Sequence, residues 1–488
     1  MLKNSIIICF KMQRKCDWTT AFTLKGDWFL PEKPEERLSG EFSFHPEEGM
    51  RLELIGDFNF NPLGLDNSSY ETILGVVEGS RQISLFGCFL IQGGGVTLVR
   101  GSETAKPVLT FVVNLMVDGW YFSTKEEICA KTVLVEIDGL AEWLCVTGFK
   151  FDDLKLDYAE HTVDLHYKLP EPIPFEYPAG VEASFDFCVN NLSQPIFRTS
   201  FEMTQTARLK LKTDKGLSYH DILQAVYKFQ CFLMLCSYGE HYIKRISIFN
   251  PDYSVDLGIG KPVSRQVDLY FNQHFAVKET KWDSRNMLVP YPAIRNEFPQ
   301  LILLWDKIFA DFEPAINLLV EQLRDTNGFS DNDFLNLAQA AETIHDRMYP
   351  GAVKMPPADY DKLKANIVDN VPADCKDFVK GLLQFGNNVS LATRLGDLVK
   401  RCPDSILKVF IGDPETFIKE IRDSRNYYTH YTLSGKKHVK RHYELMKLSQ
   451  QIQFLLVNDL LLHIGVEEDL LDCLIHNQEY RFGQLKNR

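Results

Sequence analysis

The chain has 488 residues, too many for one hydrophobic core, so roughly two to four domains are expected. With 45% hydrophobic and 24% charged residues and a formal net charge of −13, it reads as a soluble globular protein and not as a general nucleic-acid coat. No apolar run approaches the ~20 residues of a membrane span, and eleven scattered cysteines without a C-x-x-C pair argue against a zinc ribbon and for a reducing cytoplasm.

In chain order, "MLKNSIIICF" reads as an extended segment or first strand, because no small-residue cleavage site follows it. "ERLSGEFSFHPEEGMRLELIGDF" alternates Leu38, Phe42, Phe44, Leu52 and Leu54 with polar residues around a turn at Pro46–Gly49, which is a hairpin pattern. "GSRQISLFGCFLIQGGGVTLVRG" continues it with Gly93–Gly95 as the turn, and Phe111, Tyr121 and "TVLVEIDGLAEWL" add further strand and edge material. "ASFDFCVNN", "RTSFEMTQTARLKLKTD" and "IKRISIFN" are the next strands, and His161 and His166 sit on a β edge. One helix interrupts them, "SYHDILQAVYKFQCFLMLCSYG", capped by Ser218 and closed by Gly239, with Cys231 and Cys236 as buried thiols.

From 293 the period becomes helical. "FPQLILLWDKIFADFEPAINLLVEQL" carries a broad apolar stripe, and "SDNDFLNLAQAAETIHDRMYP" opens on a Ser330/Asp333 capping box and stops at Pro350. Helices follow in "YDKLKANIV", "CKDFVKGLLQF", "SLATRLGDLVKRC" and "DPETFIKEIRDSRNYYTHY". The last is one long segment, "KKHVKRHYELMKLSQQIQFLLVNDLLLHI". The fold class expected is therefore α+β: a β-rich half over 1–292, with sandwich-like sheets and a division near 150–180, then an all-α bundle over 293–488.

The helix after Asp413 concentrates the chemistry. Asp413 suits the N-cap and Pro414 the first helical position, and Phe417, Ile421, Ser424 and Tyr428 form the buried stripe. Arg422, Asn426 and His430 then share an adjacent edge, with Arg425 in reach of it. Guanidinium, carboxamide and imidazole together suit a phosphodiester, which Arg grips in a planar fork while His moves protons near neutral pH. Between Asp413 and Lys447 eight Lys/Arg face five Asp/Glu, so a local basic patch stands in an acidic chain. Lys436, Lys437, His438, Lys440, Arg441 and His442 are its candidate RNA contacts. A solvated basic face with a core histidine is the competing reading. Glu342 and His345, at i and i+3, form either a plain polar face or a support in which Glu342 pairs with an active-site Arg. His438 and His442 have a zinc-like spacing but no adjacent Glu and no third ligand, so no metal or other cofactor is expected.

Arg425-Asn426-x3-His430 resembles the R-x(4–6)-H motif of HEPN domains, and "RDSRNYYTHY" resembles the ApeA-like HEPN domain in particular. "GDWFLPEKPEERLSGEFSFHPEEG" and "VEIDGLAEWL" resemble the β-rich N-terminal domain of the same family. The resemblance implies a HEPN bundle in the helical half and metal-independent RNA cleavage in anti-phage abortive infection, with tRNA as a plausible target. It implies His430 as general acid/base, Arg425 as stabiliser of phosphorane charge and Asn426 as a positioning group. Arg422 is then a secondary phosphate contact or a support. HEPN domains commonly pair, so a homo-dimer or higher oligomer is expected, with no membrane partner and with a phage-derived trigger protein acting on the β half. The alternative is a non-catalytic sensor whose β half binds a phage protein or other ligand while the helical half oligomerises.

Overall fold

The computed structural model describes residues 18–58, 69–93, 107–157, 162–190, 203–256, 262–273, 282–324, 328–403, 407–431, 438–478 and 480–481. The opening segment, Gly94, Gly95, His161, Lys436 and Lys437 fall outside them.

The first half is antiparallel throughout. Its strands are β1 (Phe22–Leu30), β2 (Lys33–His45), β3 (Gly49–Ile55), β4 (Tyr70–Val77), β5 (Arg81–Gly93), β6 (Val108–Asp118), β7 (Cys129–Ile137), β8 (Phe149–Asp157), β9 (Thr162–Tyr167), β10 (Ile173–Tyr177), β11 (Val181–Asn190), β12 (Thr204–Ser218), β13 (Ile243–Phe249), β14 (Ser254–Val255), β15 (Val263–Ser264) and β16 (Val267–Phe271). The expected β2–β3 hairpin is present, closing at His45↔Gly49, where Gly49 takes the positive φ of +80° that the turn requires.

Strands β6, β3, β2, β1, β4 and β5 form a closed barrel, because β5 pairs with both β4 and β6. Closure removes the open edges that a sheet of this length would otherwise present. One edge of β6 is divided: residues 108–113 pair with β3, and residues 115–118 pair with β16. From that junction the sheet continues as an open extension through β13, β7, β12 and β11 to β10. The β-rich half thus takes the form of a barrel with an extended sheet. Inside the barrel, Phe42, Phe44, Met50, Leu52, Leu54, Phe111 and Val113 alternate inward as their period-two spacing dictates. Trp28 is wholly buried and lies flat against Gly75, its partner across β1 and β4.

Two short stretches differ from the expected β material. Tyr121 lies outside the strands, and "LAEWL" is a helical turn, α1 (Leu140–Leu144), entered through Gly139 at φ +70°. Leu140, Trp143 and Leu144 are spaced for one helical face, and all three are buried. Trp143 donates its indole N–H to the Val289 carbonyl at 2.9 Å and meets Phe185, Phe229, Phe232, Tyr291 and Phe298. This aromatic cluster joins the sheet to α2 (Tyr219–Ser237) and to the first helices of the second half. Helix α2 begins with the Ser218/Asp221 capping box, and Cys231 and Cys236 are buried free thiols.

The helical half comprises α3 (Tyr291–Ile294), α4 (Phe298–Leu323), α5 (Asp331–Met348), α6 (Pro357–Asp369), α7 (Lys376–Leu382), α8 (Leu391–Arg401), α9 (Pro414–His430), α10 (Tyr443–His463) and α11 (Glu468–Asn477). The Ser330/Asp333 capping box opens α5 as expected. Helix α10 is the axis of the bundle, with α4, α5 and α8 around it. Several of its buried polar side chains reach specific partners. Gln451 donates to the Phe410 carbonyl and Gln453 to the Gln322 carbonyl, while Asp459 pairs with Arg401. No helix among the described residues is long and apolar enough to cross a membrane.

The last long helix starts at Tyr443 and not at the basic run before it. His442 has φ +51° and ψ −123°, outside helical values. The backbone there is committed elsewhere: the Lys440 N–H donates to Ser424 Oγ at 3.0 Å, and its carbonyl accepts from Tyr428 Oη at 3.0 Å. His438 and His442 therefore do not share a helical face.

Candidate active site

Helix α9 is set up by local chemistry. The Asp413 carboxylate accepts from the Thr416 N–H at 2.9 Å and from its hydroxyl at 2.6 Å, and these bonds hold the Asp413 carboxyl below its ordinary pKa. Phe417, Ile421, Ser424 and Tyr428 are all buried, so the stripe read from spacing is the packed face. Tyr428 meets Phe334 of α5. The helix ends where Tyr431 turns left-handed at φ +47°, which makes His430 the last helical residue.

Next to the packed face, Asn426 and His430 are exposed and Arg425 is partly so. Arg425 Nη2 lies 3.3 Å from Glu342 Oε1 of α5, with the two side chains 35% and 33% exposed. Glu342 thus makes the contact expected of a support, across two helices. Its neighbour His345 is not part of a polar face: it is 1% exposed, with Nε2 3.2 Å from Asp397 Oδ2 of α8. Burial would raise the Asp397 carboxyl, but hydrogen bonds from His345 and Lys400 outweigh it and keep the pKa low.

The basic candidates divide into two groups. Arg422 turns its Nε and Nη2 onto the adjacent Asp423 Oδ1, at 2.8 and 2.7 Å. Lys440 is engaged by Glu420 at 3.0 Å and Glu444 at 3.8 Å, so most of its charge is answered within the protein. Arg441 and His442 are exposed, and the Arg441 guanidinium lies over the Tyr427 ring at 5.3 Å. His438 is half-buried. Among the described residues no group of three or more His, Cys, Asp or Glu is placed to hold a metal ion.

Two site-adjacent residues were not visible in the spacing. Arg394 Nη1 donates to the Glu342 carbonyl and to Asp346 Oδ1, each at 3.2 Å, and Asp397 anchors His345. They stand at i and i+3 of α8, a pattern that an ordinary amphipathic helix would also show.

The arrangement offers a cation held by a carboxylate, a carboxamide and an exposed imidazole along one helix edge. The Apea-like HEPN family model matches residues 335–470, which include α9 together with Glu342, Arg394 and Asp397. The ApeA N-terminal domain 1 model matches residues 23–305, more than half of the chain. No curated protein and no solved structure matches the chain. HEPN domains are in general nucleases, and the combination with this N-terminal domain supports a role in anti-phage defence. A β-rich N-terminal domain of ApeA type followed by a helical ApeA-like HEPN domain is the architecture found here, and the chain belongs to the ApeA family.

Proposed function

We propose that the helical half is a ribonuclease that cleaves cellular RNA without a metal ion, and that the β-rich half holds this activity in check until a phage-derived trigger acts on it. The observation that carries the reading is the exposed edge of α9, where Asn426 and His430 accompany an Arg425 already held by Glu342.

In this reaction the ribose 2′-oxygen attacks the adjacent phosphorus and the 5′-oxygen of the next nucleotide leaves. The products are a 2′,3′-cyclic phosphate and a 5′-hydroxyl. The 2′-hydroxyl gives up a proton and the departing oxygen gains one, so a general base and a general acid are both required. Neutral His430 can serve as the base, or its imidazolium as the acid. Arg425 answers the negative charge that grows on the phosphoryl oxygens, and Asn426 orients His430 or a phosphate oxygen. Arg441, His442 and His438 would guide the RNA backbone toward that edge. A structured RNA such as tRNA fits the reading.

One chain presents one Arg/His set, whereas the displacement uses two proton-transfer groups. A second copy would supply the other set, giving a composite site across a homo-dimer. Phe378, Leu382 and Phe385 support association: they recur at i, i+4 and i+7 along and just beyond α7, and are 69%, 65% and 66% exposed.

The test is cleavage of mixed tRNA by the purified protein in the presence of EDTA, alone and after supplementation with phage-infected lysate, with the product ends mapped. Wild type should leave 2′,3′-cyclic ends, and His430→Ala should lose about 10²–10⁴ in rate. Arg425→Ala should be similarly impaired. Cutting that survives both substitutions would remove these residues from the chemistry, and no cutting with the lysate would favour a non-catalytic sensor.

A further inference from the structure

The Arg425–Glu342 ion pair has its closest approach at 3.3 Å, from Nη2 to Oε1, with the two side chains 35% and 33% exposed. Such a pair orients the guanidinium, whose five N–H donors outnumber those one carboxylate engages. The value of Glu342 to the site then depends on how firmly Glu342 is itself held.

It is held from behind by α8. The Arg394 guanidinium donates to the Glu342 carbonyl at 3.2 Å, to the Asp346 carboxylate at 3.2 Å, and approaches His345 Nδ1 at 3.5 Å. On its other side the buried His345 ring meets Asp397 at 3.2 Å. With a carboxylate at Nε2, the imidazole proton belongs on Nε2, which leaves Nδ1 as an acceptor facing Arg394. One turn of α5, residues 342–346, is thus gripped at a carbonyl, a buried ring and a carboxylate by two side chains of α8. We propose that Arg394, His345 and Asp397 are positioning residues that fix the turn carrying Glu342, through which the Arg425 guanidinium is aimed at the scissile phosphate. This rests on the reading of Arg425 as the phosphate-binding cation. A shift of about 1 Å in such a group is enough to cost up to about 100-fold in rate.

The experiment combines a footprint with kinetics on the full-length protein. Phenylglyoxal modification of Arg425, followed by peptide mass spectrometry with Arg422 as internal reference, reads how firmly the guanidinium is held, whether or not the protein cuts RNA. Glu342→Ala and Arg394→Ala should each raise the Arg425 rate about three- to fivefold, the scale of a part-exposed ion pair. Glu342→Gln, which keeps an acceptor, should raise it less. Where wild type cleaves RNA, Arg394→Ala should lower kcat about 10–100-fold with KM within about twofold. Asp397→Asn retains an acceptor for His345 and serves as the milder variant should Arg394→Ala lower the melting temperature. An unchanged Arg425 rate in both α8 variants, with acceleration in Glu342→Ala, would show that α8 does not aim the site. An unchanged rate in Glu342→Ala as well would show that Arg425 is not held at all. A wild-type protein that cuts no RNA, even with infected lysate, defeats the catalytic reading while the footprint still decides the clamp.

Discussion

Arg401→Met probes the polar centre of the bundle on which the candidate site is mounted. Asp459 of α10 is 1% exposed; its Oδ1 accepts from Arg401 Nε at 2.6 Å, and its Oδ2 is buried without a hydrogen bond. Burial raises the Asp459 carboxyl above its ordinary value, and Arg401 opposes that rise. Removing the guanidinium leaves a buried carboxylate uncompensated, a change that costs about 3–5 kcal/mol. Arg401 is itself 32% exposed, so solvent screens part of the pair and the lower end, about 3 kcal/mol, applies. For a unit of this size that corresponds to a fall of about 6–12 °C in melting temperature at neutral pH.

The pH dependence gives the sharper test. A carboxyl whose folded pKa lies above its unfolded pKa binds its proton more tightly in the folded state. Stability therefore falls as pH rises from the carboxyl's ordinary value of about 3.8 through the raised folded value. Without Arg401 the folded pKa rises further and the window extends toward neutrality. In acid the carboxyl is protonated, and only a hydrogen bond of about 1 kcal/mol is missing. His463, whose imidazolium is disfavoured first by burial and then by Arg401, acts in the same direction, because loss of Arg401 lets it charge and offset Asp459. Scanning calorimetry of wild type and variant should thus show a large deficit at about pH 7.5 and a small one at about pH 5. Asp459→Asn in the Arg401→Met background should recover most of the loss at neutral pH. An equal deficit at both pH values, or no recovery, would refute the charge argument.

Gly75→Ala should disrupt the barrel, because a Cβ there would stand 2.3 Å from Trp28 Cε3; a loss of about 2–3 kcal/mol in urea titrations followed by Trp fluorescence is expected. A stability within error of wild type would mean that the indole can move aside. Replacing Leu382 and Phe385 by Asp should shift the protein toward a smaller species in light scattering while leaving its melting temperature near wild type, since both side chains are largely exposed. An unchanged mass would place self-association on another surface.

The features legible in the sequence are those decided within a few residues. The Ser218, Ser330 and Asp413 caps and the four-residue stripe of α9 depend only on local spacing, and each is as expected. Barrel closure was not legible, because β5 meets β6 on one side and β4 on the other, and alternation does not encode which strands pair. The basic run 438–442 looked like the first turns of a long helix, yet its backbone at Lys440 is tied to α9 by bonds from residues 12 and 16 positions away. Helix α5 shows both outcomes side by side. Its buried residues Phe334, Leu337, Ala338, Ala341 and Ile344 define a stripe, and His345 lies at i+11 from Phe334 and i+4 from Ala341, which places it on that stripe. Its burial is thus present in the spacing, which sets His345 apart from the polar-face alternative for the Glu342/His345 pair. Glu342, three residues earlier, falls at the edge of the stripe. That edge position lets its carboxylate face α9 while its carbonyl is gripped by α8. Whether an edge carboxylate meets solvent or a guanidinium 83 residues away depends on how two helices cross, which no local pattern records. The chemistry-bearing residue types were therefore readable along α9, while their support had to come from the packing of α5 and α8 against it.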